Sequence, residues 1–394
     1  MRILRERAVE ESLLALDRAW SEEATFAFLS QKSTVDEGWV ERALAALPEA
    51  LRRGHFALST SGSTGHPKLV LGARSRAEHL ADVLHEIQEG EPVQETILAL
   101  PLSYCYAFVN QWLWARRRAR RLVATEGFGR PDRLLRALVD SERAMICLVA
   151  AQLPLFARHF AQEAFPGVLR VHFAGGPFPQ RELEAVRRRF PHATIFNNYG
   201  CAEAMPRLAL RRGEEGESPS DVGRPIPGVE LATGPGGELL FRSPFGALAC
   251  FEGGPSWRFF CGEEWIPTGD LGRLAPSGRF ELQGRANQVF KRYGEKIALA
   301  QVLETVGGCF GGQAQAYRER DRMAEEGYVL VLSPEPRAEE LRAILSAFRA
   351  LYPRAQWPLR IESSATLPCL PNGKLDVAAL AQLPGKTIHW RNRI

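Results

Sequence analysis

A run of hydroxyl, glycine and lysine residues near the start of the chain has the composition of a phosphate-binding loop. It extends from Ser59 to Lys68 (STSGSTGHPK), between the apolar runs 56–58 and 69–71. Backbone N–H groups and hydroxyls in such a loop can wrap a polyphosphate, and the lysine can neutralise part of its charge. The alternative is an ordinary Ser/Gly turn that joins two strands of a hairpin. Both interpretations predict a strand on each side of the loop.

This loop differs from the P-loop of ordinary nucleotide-binding proteins. A P-loop has four residues between its glycines and continues with Lys-Ser/Thr into a helix. Here only two residues separate Gly62 from Gly65, and Pro67 disfavours a helical conformation at His66. We therefore expect the phosphates to be held by a loop bent between strands, not by the N-terminus of a helix.

Two further clusters carry groups suited to a nucleotide. The segment 197–203 (NNYGCAE) follows a predicted strand, and ligands bind beyond the carboxyl ends of parallel strands. Tyr199 offers a flat face for a purine, and Glu203 offers an oxygen ligand for Mg²⁺. In the segment 268–272 (TGDLG), Asp270 can accept two hydrogen bonds from a ribose diol. For Asp270 alone, an Asx-turn that closes a hairpin is equally compatible with the sequence.

The last two clusters lie in the C-terminal third of the chain. They are 284–294 (GRANQVFKRYG), at a predicted domain junction, and 371–376 (PNGKLD), which alone would be read as a surface turn. Taken in order, all five clusters resemble the adenylate-forming superfamily. This superfamily comprises acyl- and aryl-CoA ligases, adenylation domains of peptide synthetases and firefly luciferase. The resemblance extends from about residue 55 to residue 376.

The resemblance implies an AMP-forming acid–thiol ligase that uses ATP and Mg²⁺. A carboxylate attacks the α-phosphate of ATP, pyrophosphate leaves, and an acyl-adenylate forms. A thiol, from CoA or from the phosphopantetheine of a carrier protein, then displaces AMP. Lys374 would stabilise the charge that develops between carboxylate and α-phosphate, which is an electrostatic and positioning role.

The resemblance also assigns roles to individual residues of this chain. The phosphate-binding residues would be Thr60, Ser61, Gly62, Ser63, Thr64, Gly65 and Lys68. The other nucleotide-binding residues would be Gly175, Gly176, Asn198, Tyr199, Gly200, Asp270 and Arg285. Glu203 would bind Mg²⁺ and Lys374 would be catalytic. Asn287 and Lys291 would form a hinge around which a C-terminal domain moves, withdrawing Lys374 and admitting the thiol.

The acyl substrate is expected to contact Tyr104, Cys105, Phe108, Phe173 and Cys201. Cys105 occupies the position at which relatives that activate amino acids carry an aspartate for the α-ammonium group. Without that carboxylate an α-amino acid is disfavoured, because its charged amine would be buried unpaired. The remaining side chains favour an aryl or medium-length acyl acid. The alternative for each aromatic residue is a place in the hydrophobic core.

The chain also departs from the family pattern. Ala202 replaces the usual threonine, Asn287 replaces the usual hinge aspartate, and only about 55 residues precede the phosphate loop. The first subdomain is therefore expected to be shortened or rebuilt, with oligomerisation as one way to cover an exposed sheet. These departures leave open an alternative function, a degenerate nucleotide-binding or regulatory protein without ligase activity.

The predicted fold class is α/β. Residues 1–283 are expected to form an adenylation core of helix-covered, mostly parallel sheets with a small antiparallel or barrel-like β region at about 213–283. Residues 284–394 are expected to form a small mobile α+β domain. A helix carrying Val9, Leu13, Leu16 and Trp20 is predicted near the N-terminus, with strands, among others, at 96–100 and 238–242.

Composition fits a soluble globular protein, with 45% hydrophobic residues, 24% charged residues and a net charge of +4. This charge is too small to indicate a nucleic-acid partner. The seven cysteines occur singly, and no apolar run approaches the ~20 residues of a membrane span. A cytoplasmic location is therefore expected. The run 116–121 (RRRARR) is predicted to be a solvated helix face, with the docking of an acidic carrier protein as the alternative.

Overall fold

The computed structural model describes residues 1–31, 33, 35–60, 68–89, 91–176, 178–216, 218, 220–252, 254, 256–369 and 375–392, excluding the side chains of Asn287 and Lys296. In chain order the strands are β1 (Arg2–Arg5), β2 (Phe26–Leu29), β3 (His55–Thr60), β4 (Lys68–Ala73), β5 (Glu95–Ile97), β6 (Arg121–Val123), β7 (Ala144–Leu148), β8 (Val168–Ala174), β9 (Thr194–Tyr199), β10 (Ala209–Arg212), β11 (Asp221–Pro225), β12 (Glu230–Thr233), β13 (Glu238–Arg242), β14 (Ala249–Phe251), β15 (Arg258–Phe259), β16 (Ile266–Leu274), β17 (Phe280–Arg285), β18 (Val289–Arg292), β19 (Glu295–Ala298), β20 (Gln313–Arg320), β21 (Glu326–Ser333), β22 (Arg360–Ser363) and β23 (Thr387–Arg391).

The α-helices are α1 (Val9–Ser21), α2 (Glu37–Ala45), α3 (Arg74–Ile87), α4 (Cys105–Ala107), α5 (Trp114–Arg117), α6 (Pro131–Val139), α7 (Leu153–His159), α8 (Leu183–Arg189), α9 (Leu299–Gly307), α10 (Ala338–Leu351) and α11 (Val377–Gln382). A π-helical segment, Phe108–Leu113, joins α4 to α5. None of the helices in the described ranges is long and apolar enough to cross a membrane.

The first sheet has the order β1-β2-β3-β4-β14-β15. Strands β3 and β4 form the predicted hairpin, because their register pairs His55 with Ala73 at one end and Thr60 with Lys68 at the other. The interiors of both strands are apolar and buried. This packing fixes the two ends of the segment that was predicted to bind phosphate.

The second sheet has the order β12-β13-β16-β17-β11-β10-β9-β8-β7-β5-β6. Strands β5 to β9 pair in parallel, as predicted from the alternation of strands and helices. Strands β9 to β13, β16 and β17 pair antiparallel and extend the same sheet. The antiparallel pairing predicted for this region is therefore confirmed, and its described strands form no closed barrel. Because β10 pairs with β9, the antiparallel strands continue the parallel sheet and do not close on themselves.

Several predicted elements were confirmed, with small shifts at their ends. Helix α1 and strand β13 lie where the sequence placed them. Ser75 and Glu78 have the spacing of a capping box that would begin helix α3. Instead it begins at Arg74 without a side-chain cap, and Glu78 accepts a hydrogen bond from Trp20 Nε1 at 2.9 Å. Contact with a distant helix thus replaces the local cap.

The C-terminal part of the chain contains a four-stranded sheet of order β20-β21-β22-β23 and a separate hairpin, β18-β19. Its core joins Phe290, Ile297, Tyr328, Phe348 and Trp357, all of which are buried. Strand β17 continues to Arg285, two residues past the predicted boundary at 283. The division into domains 1–283 and 284–394, and the mobility of the second, stay predictions.

Candidate active site

The ends of the β3–β4 hairpin present a hydroxyl and an ammonium group. Thr60 and Lys68 are paired across the hairpin. The Thr60 Oγ1 atom is buried and makes no hydrogen bond within the described chain. A buried hydroxyl without a partner beside a lysine fits a phosphate oxygen as the missing partner. Residues Ser61, Gly62, Ser63, Thr64 and Gly65 lie outside the described residues.

Lys68 forms an ion pair with Glu203, which lies on a short 3₁₀ turn after β9. A second carboxylate, Glu252, follows β14 and lies 3.7 Å from Lys68 Nζ. Burial opposes the charged form of Lys68, but Glu203 and, more weakly, Cys250 and Glu252 outweigh burial and raise the pKa of Lys68. The ammonium group therefore stays charged at neutral pH.

A second cluster is built by the register of β16 and β17, which places Asp270 opposite Arg285. Arg285 Nε lies 3.0 Å from Asp270 Oδ1, and Tyr199 donates its hydroxyl to Asp270 Oδ2 at 2.8 Å. Arg285 also donates to the Thr268 carbonyl at 3.2 Å, and Thr268 Oγ1 accepts from the Asp270 backbone N–H. Both oxygens of the carboxylate are thus held before any ligand arrives.

Tyr199 contributes its hydroxyl to this cluster while its side chain is largely buried, with 8% of the residue exposed. Burial and the nearby Asp270 carboxylate raise the pKa of Tyr199 well above its usual value. The phenol therefore remains protonated and keeps donating to Asp270. Stacking of its ring on a purine stays a prediction.

The predicted nucleotide-binding glycines lie at the ends of β8 and β9. Gly175 has φ +77°, a backbone conformation that favours glycine. A Cβ atom on Gly176 would meet no atom of the described residues within 4 Å. At Gly200 a Cβ atom would lie 1.7 Å from the Pro206 carbonyl oxygen, so the turn that carries Glu203 requires glycine.

Tyr104 and Cys105 lie side by side at the start of α4. Tyr104 is half-buried, and its ring meets the ring of Tyr106 edge-on at 6.2 Å. Burial raises the pKa of the Cys105 thiol to about 12, and burial also raises the pKa of Cys201 well above its usual value. Both sulfurs are therefore neutral at physiological pH. Neither can serve as counter-charge for a substrate ammonium group.

Both phenylalanines predicted to contact the substrate lie in the hydrophobic core. Phe108 is fully buried, with its ring centroid 4.7 Å from that of Trp112 and 5.1 Å from that of Phe56. Phe173 is also buried, and its ring meets Phe178 edge-on at 5.9 Å. These contacts favour the alternative of core residues for both side chains.

Asn198 contacts a residue that the sequence reasoning missed. Its Oδ1 accepts hydrogen bonds from Gln88 at 2.9 Å and from the buried Arg207, and its Nδ2 donates to the Phe173 carbonyl at 3.0 Å. These partners are all protein groups, whereas Asn198 was expected to bind nucleotide. The available signal for Arg207 was a charged residue inside the otherwise apolar run 204–210.

The remaining predicted residues concern the hinge and the catalytic lysine. Lys291 is exposed on β18, and the backbone of Asn287 lies in a short 3₁₀ turn between β17 and β18. The neighbouring Arg292 is buried and pairs with Asp321 at 2.9 Å, which anchors the hairpin to the C-terminal part. Lys374 lies outside the described residues, so its role stays a prediction.

The basic run 116–121 is neutralised by carboxylates of the same chain. Its ion pairs are Arg116–Asp17, Arg117–Asp82, Arg118–Glu86, Arg120–Glu91 and Arg121–Glu95. Much of the positive charge of this run is therefore neutralised by ion pairs within the chain. The run gives little support to the docking of an acidic carrier protein at this helix.

The donor set of the site fits a magnesium–nucleotide complex. Glu203 supplies the carboxylate oxygen that Mg²⁺ prefers, Lys68 and the Thr60 hydroxyl suit phosphate oxygens, and the Asp270–Arg285 pair suits a diol. The described residues contain no group of three or more His, Cys, Asp or Glu side chains placed to hold a metal by themselves. A metal here would thus need ligands from the nucleotide or from water.

Comparison with known proteins agrees with this geometry. The family model of the AMP-binding enzymes matches residues 8–246, more than half of the chain. The chain is 24% identical over 355 residues to the delta-poly-L-ornithine synthetase of Acinetobacter baumannii, covering 84% of this chain but only 26% of that protein. It is 24% identical over 348 residues to the D-alanine–D-alanyl carrier protein ligase of Staphylococcus haemolyticus, covering 83% and 70%.

Among solved structures, the o-succinylbenzoate CoA synthetase (MenE) of Bacillus subtilis, in complex with the acyl-adenylate OSB-AMP, matches with a TM-score of 0.75. That match covers 100% of this chain and 89% of the other at 17% identity, which establishes the fold. The predicted resemblance to the adenylate-forming superfamily is therefore confirmed. The chain belongs to the family of AMP-binding enzymes.

Proposed function

We propose that the protein activates a carboxylic acid with ATP to give an acyl-adenylate and then transfers the acyl group to a thiol. One observation supports this most strongly. Two clusters, Lys68 with Glu203 and Tyr199 with Asp270 and Arg285, come together from strands far apart in sequence. They provide opposite ends of a site suited to a nucleoside triphosphate.

The assignment of roles follows from the chemistry of each group. Asp270 accepts hydrogen bonds from the ribose hydroxyls, while Arg285 holds the carboxylate in place. Thr60 and Lys68 bind the β- and γ-phosphates. Glu203 binds Mg²⁺, which when present neutralises charge on the phosphates and on the departing pyrophosphate. Lys374 stabilises the charge that builds between the carboxylate and the α-phosphate.

Access of Glu203 to a metal requires that its pair with Lys68 opens. In the ligand-free protein each group is the counter-ion of the other. A magnesium–nucleotide complex carries a counter-ion for each group. Its phosphates can pair with the Lys68 ammonium group, and its metal can pair with the Glu203 carboxylate. The pair thus keeps two half-buried charges compensated until the substrate arrives.

The acceptor thiol is CoA or the phosphopantetheine of a carrier protein, reached after residues 284–394 turn about the hinge at Asn287 and Lys291. The related ligase from Staphylococcus haemolyticus is named for a carrier protein, whereas the MenE structures are of a CoA synthetase. A cytoplasmic location accords with the free cysteines of the chain and with either acceptor.

The acid is an aryl or medium-length acyl acid. Half-buried Tyr104 offers an aromatic surface to the acyl group. The neutral thiols of Cys105 and Cys201 offer no charge for an ammonium group. An α-amino acid would bury its amine without a partner. This separates the proposed substrates from those named for the ornithine and D-alanine relatives.

The test is exchange of labelled pyrophosphate into ATP, screened over aryl, fatty and amino acids. We expect exchange that depends on the acid and is strongest with aryl or medium-length acids. Lys374→Ala should abolish exchange but spare thioester formation from synthetic acyl-adenylate, because the two steps use different domain positions. Equal loss of both steps would contradict the role of Lys374. Nucleotide binding without exchange for any acid would favour a degenerate regulatory protein instead.

A further inference from the structure

Arg207 differs from the other buried arginines in its lack of a carboxylate nearby. Arg292 pairs with Asp321 at 2.9 Å, and Arg170 lies 3.4 Å from Glu89. Arg211 and Arg74 also lie close enough to carboxylates to be stabilised by them, Asp221 and Glu78 respectively. Arg207 is only 1% exposed, and the described residues place no Asp or Glu beside it.

Neutral groups make all the described contacts of the Arg207 guanidinium. Nη2 donates to Asn110 Oδ1 at 3.0 Å, Nη1 donates to Asn198 Oδ1, and the guanidinium carbon lies 5.5 Å from the centre of the Tyr106 ring. Burial lowers the pKa of Arg207, but a guanidinium starts so high that it stays charged at neutral pH. Two of its N–H groups thus donate to neutral amide oxygens, whereas its positive charge has no counter-ion among the described residues.

The titratable groups around Arg207 supply no negative charge either. Burial raises the pKa of Tyr106 well above its usual value and raises the pKa of Cys147 to about 11, so both are neutral at pH 7. Burial and the two arginines nearby lower the pKa of His172 well below its usual value, so His172 is neutral as well. A buried charge without a counter-ion costs free energy, and a ligand can recover that cost.

A chain of contacts connects Arg207 to Tyr104, one of the residues predicted to contact the acyl substrate. Arg207 follows the turn that carries Glu203, and it shares Asn198 with the Phe173 carbonyl and the Tyr106 hydroxyl. Tyr106 in turn meets the ring of half-buried Tyr104. Asn110 lies on the π-helical segment, a rare geometry that is frequent at functional sites.

We propose that Arg207 binds a second carboxylate of the acyl substrate, so that the acid activated by this protein is a dicarboxylic acid. This rests on the proposed function. One carboxylate is adenylated at the nucleotide, and the other remains ionised and becomes the counter-ion of Arg207. The aromatic rings of Tyr104 and Tyr106 cover the carbon skeleton between the two groups. Arg207 is thus a specificity-determining residue.

The test compares matched pairs of acids in acid-dependent pyrophosphate exchange. Each pair consists of a monocarboxylic acid and its dicarboxylic counterpart, such as benzoic acid with benzene-1,4-dicarboxylic acid and straight-chain acids of four to nine carbons. For the best pair we expect kcat/KM to be at least about tenfold higher with the diacid, as for other hydrogen bonds to charged groups. A wild-type preference for the monoacid in every pair would overturn the proposal.

Two variants test whether Arg207 causes the preference. Arg207→Met should bring the diacid to monoacid ratio to one or below, because the second carboxylate would then be buried without a partner. Asn110→Asp places a carboxylate at the position that now accepts from Arg207 Nη2, so it should also remove the preference even if Arg207→Met fails to fold. An unchanged ratio in Asn110→Asp would overturn the proposal.

A matched control is Arg170→Met, which removes a buried arginine that already has a carboxylate contact. It should lower the melting temperature without changing the diacid to monoacid ratio. An equal loss of preference in this control would show that the ratio reports general damage, and would overturn the role of Arg207. Failure of every acid to support exchange would instead contradict the proposed function, so the two failures are distinguishable.

Discussion

The two halves of the nucleotide site are built differently. On the nucleoside side, Tyr199, Thr268, Asp270 and Arg285 bond to one another in an arrangement fixed by the register of neighbouring strands. On the phosphate side, Lys68 and Glu203 neutralise each other across separate sheets, and the Thr60 hydroxyl has no partner in the described chain.

This difference indicates two modes of ligand recognition within one site. The nucleoside side is organised before binding, so a ligand there adds contacts without breaking the existing ones. The phosphate side must exchange a protein–protein ion pair for contacts with phosphate and metal. Changes on the phosphate side should therefore affect the chemical step most, whereas changes on the nucleoside side should mainly affect nucleotide affinity.

Glu203→Gln is expected to have the largest effect. Glutamine keeps the shape of the side chain but removes the charge that holds Lys68 and would bind Mg²⁺. We expect the rate of acid-dependent pyrophosphate exchange to fall on the order of 10²–10³-fold, as when a charge-stabilising group is lost elsewhere. Exchange assays at saturating ATP measure this directly.

The matched control for this variant is Glu252→Gln. Glu252 also faces Lys68, at 3.7 Å, but its side chain is 63% exposed. An exposed carboxylate contributes little to an ion pair, so exchange should change by less than about threefold. Similar losses in both variants would contradict the distinct role of Glu203.

Asp270→Asn should affect the nucleoside side. The asparagine loses the charge that pairs with Arg285 and accepts from Tyr199. The KM for ATP should rise about tenfold to a hundredfold, the effect of losing a charge-assisted hydrogen bond, while kcat changes much less. Asp221→Asn is the control, since it disrupts a similar pair with Arg279, at 2.8 Å, elsewhere in the same sheet. A kcat loss as large as that in Glu203→Gln would contradict the comparison.

Tyr199→Phe should have a smaller effect on the same side. It removes one hydrogen bond to Asp270 and keeps the ring, so nucleotide binding should weaken by about 1 kcal/mol. Calorimetric titration with AMP measures this change. Affinity equal to that of the unmodified protein would show that the hydroxyl does not organise the Asp270 carboxylate for a ligand.

Glu6→Gln tests a region that neither side of the site includes. Burial raises the pKa of Glu6 above 4.5, although the Ser103 hydroxyl and the Leu102 N–H donate to its carboxylate. A raised folded-state pKa contributes stability that is fully present below the unfolded-state pKa and is lost as pH rises through the folded-state value. Relative to Glu6→Gln, the unmodified protein should therefore lose unfolding free energy as pH rises from about 4.5 through the raised pKa of Glu6.

Urea unfolding of both proteins at several pH values checks this sign, and the KM for ATP should remain unchanged by Glu6→Gln. A difference in unfolding free energy that stays constant or grows in favour of the unmodified protein would contradict it. Glu6 holds the segment just before Tyr104, a predicted substrate residue. The variant therefore tests whether this segment can be weakened without a change in nucleotide binding.

The sequence predicted what depends on local motifs, and missed what depends on distant pairing. The hairpin around Lys68 and the strand that precedes Glu203 followed from local patterns. The contact of Glu252 with Lys68 depends on β14 pairing with β4, and the segment between them gives no sign of that pairing. The same reason explains why the sequence left open whether the antiparallel strands form a barrel or extend the parallel sheet.

The residues predicted to contact the acyl substrate show a second limit of prediction from sequence. Phe108 and Phe173 were predicted to contact substrate from their type and position, yet their ring contacts favour core residues. Whether an aromatic ring faces a pocket or the core depends on packing from several elements, which a short motif does not contain. Arg207 was missed for the converse reason, because only its surroundings show that its charge has no counter-ion.

The most direct test of the central claim, activation through an acyl-adenylate, follows the oxygen atoms of the substrate acid. The acid is labelled with ¹⁸O in its carboxylate, and the AMP released on thioester formation is analysed by mass spectrometry. Attack of the carboxylate on the α-phosphate, followed by cleavage of the acyl C–O bond, predicts AMP that carries one ¹⁸O atom. Release of unlabelled AMP, or of ADP with labelled inorganic phosphate, would contradict the account.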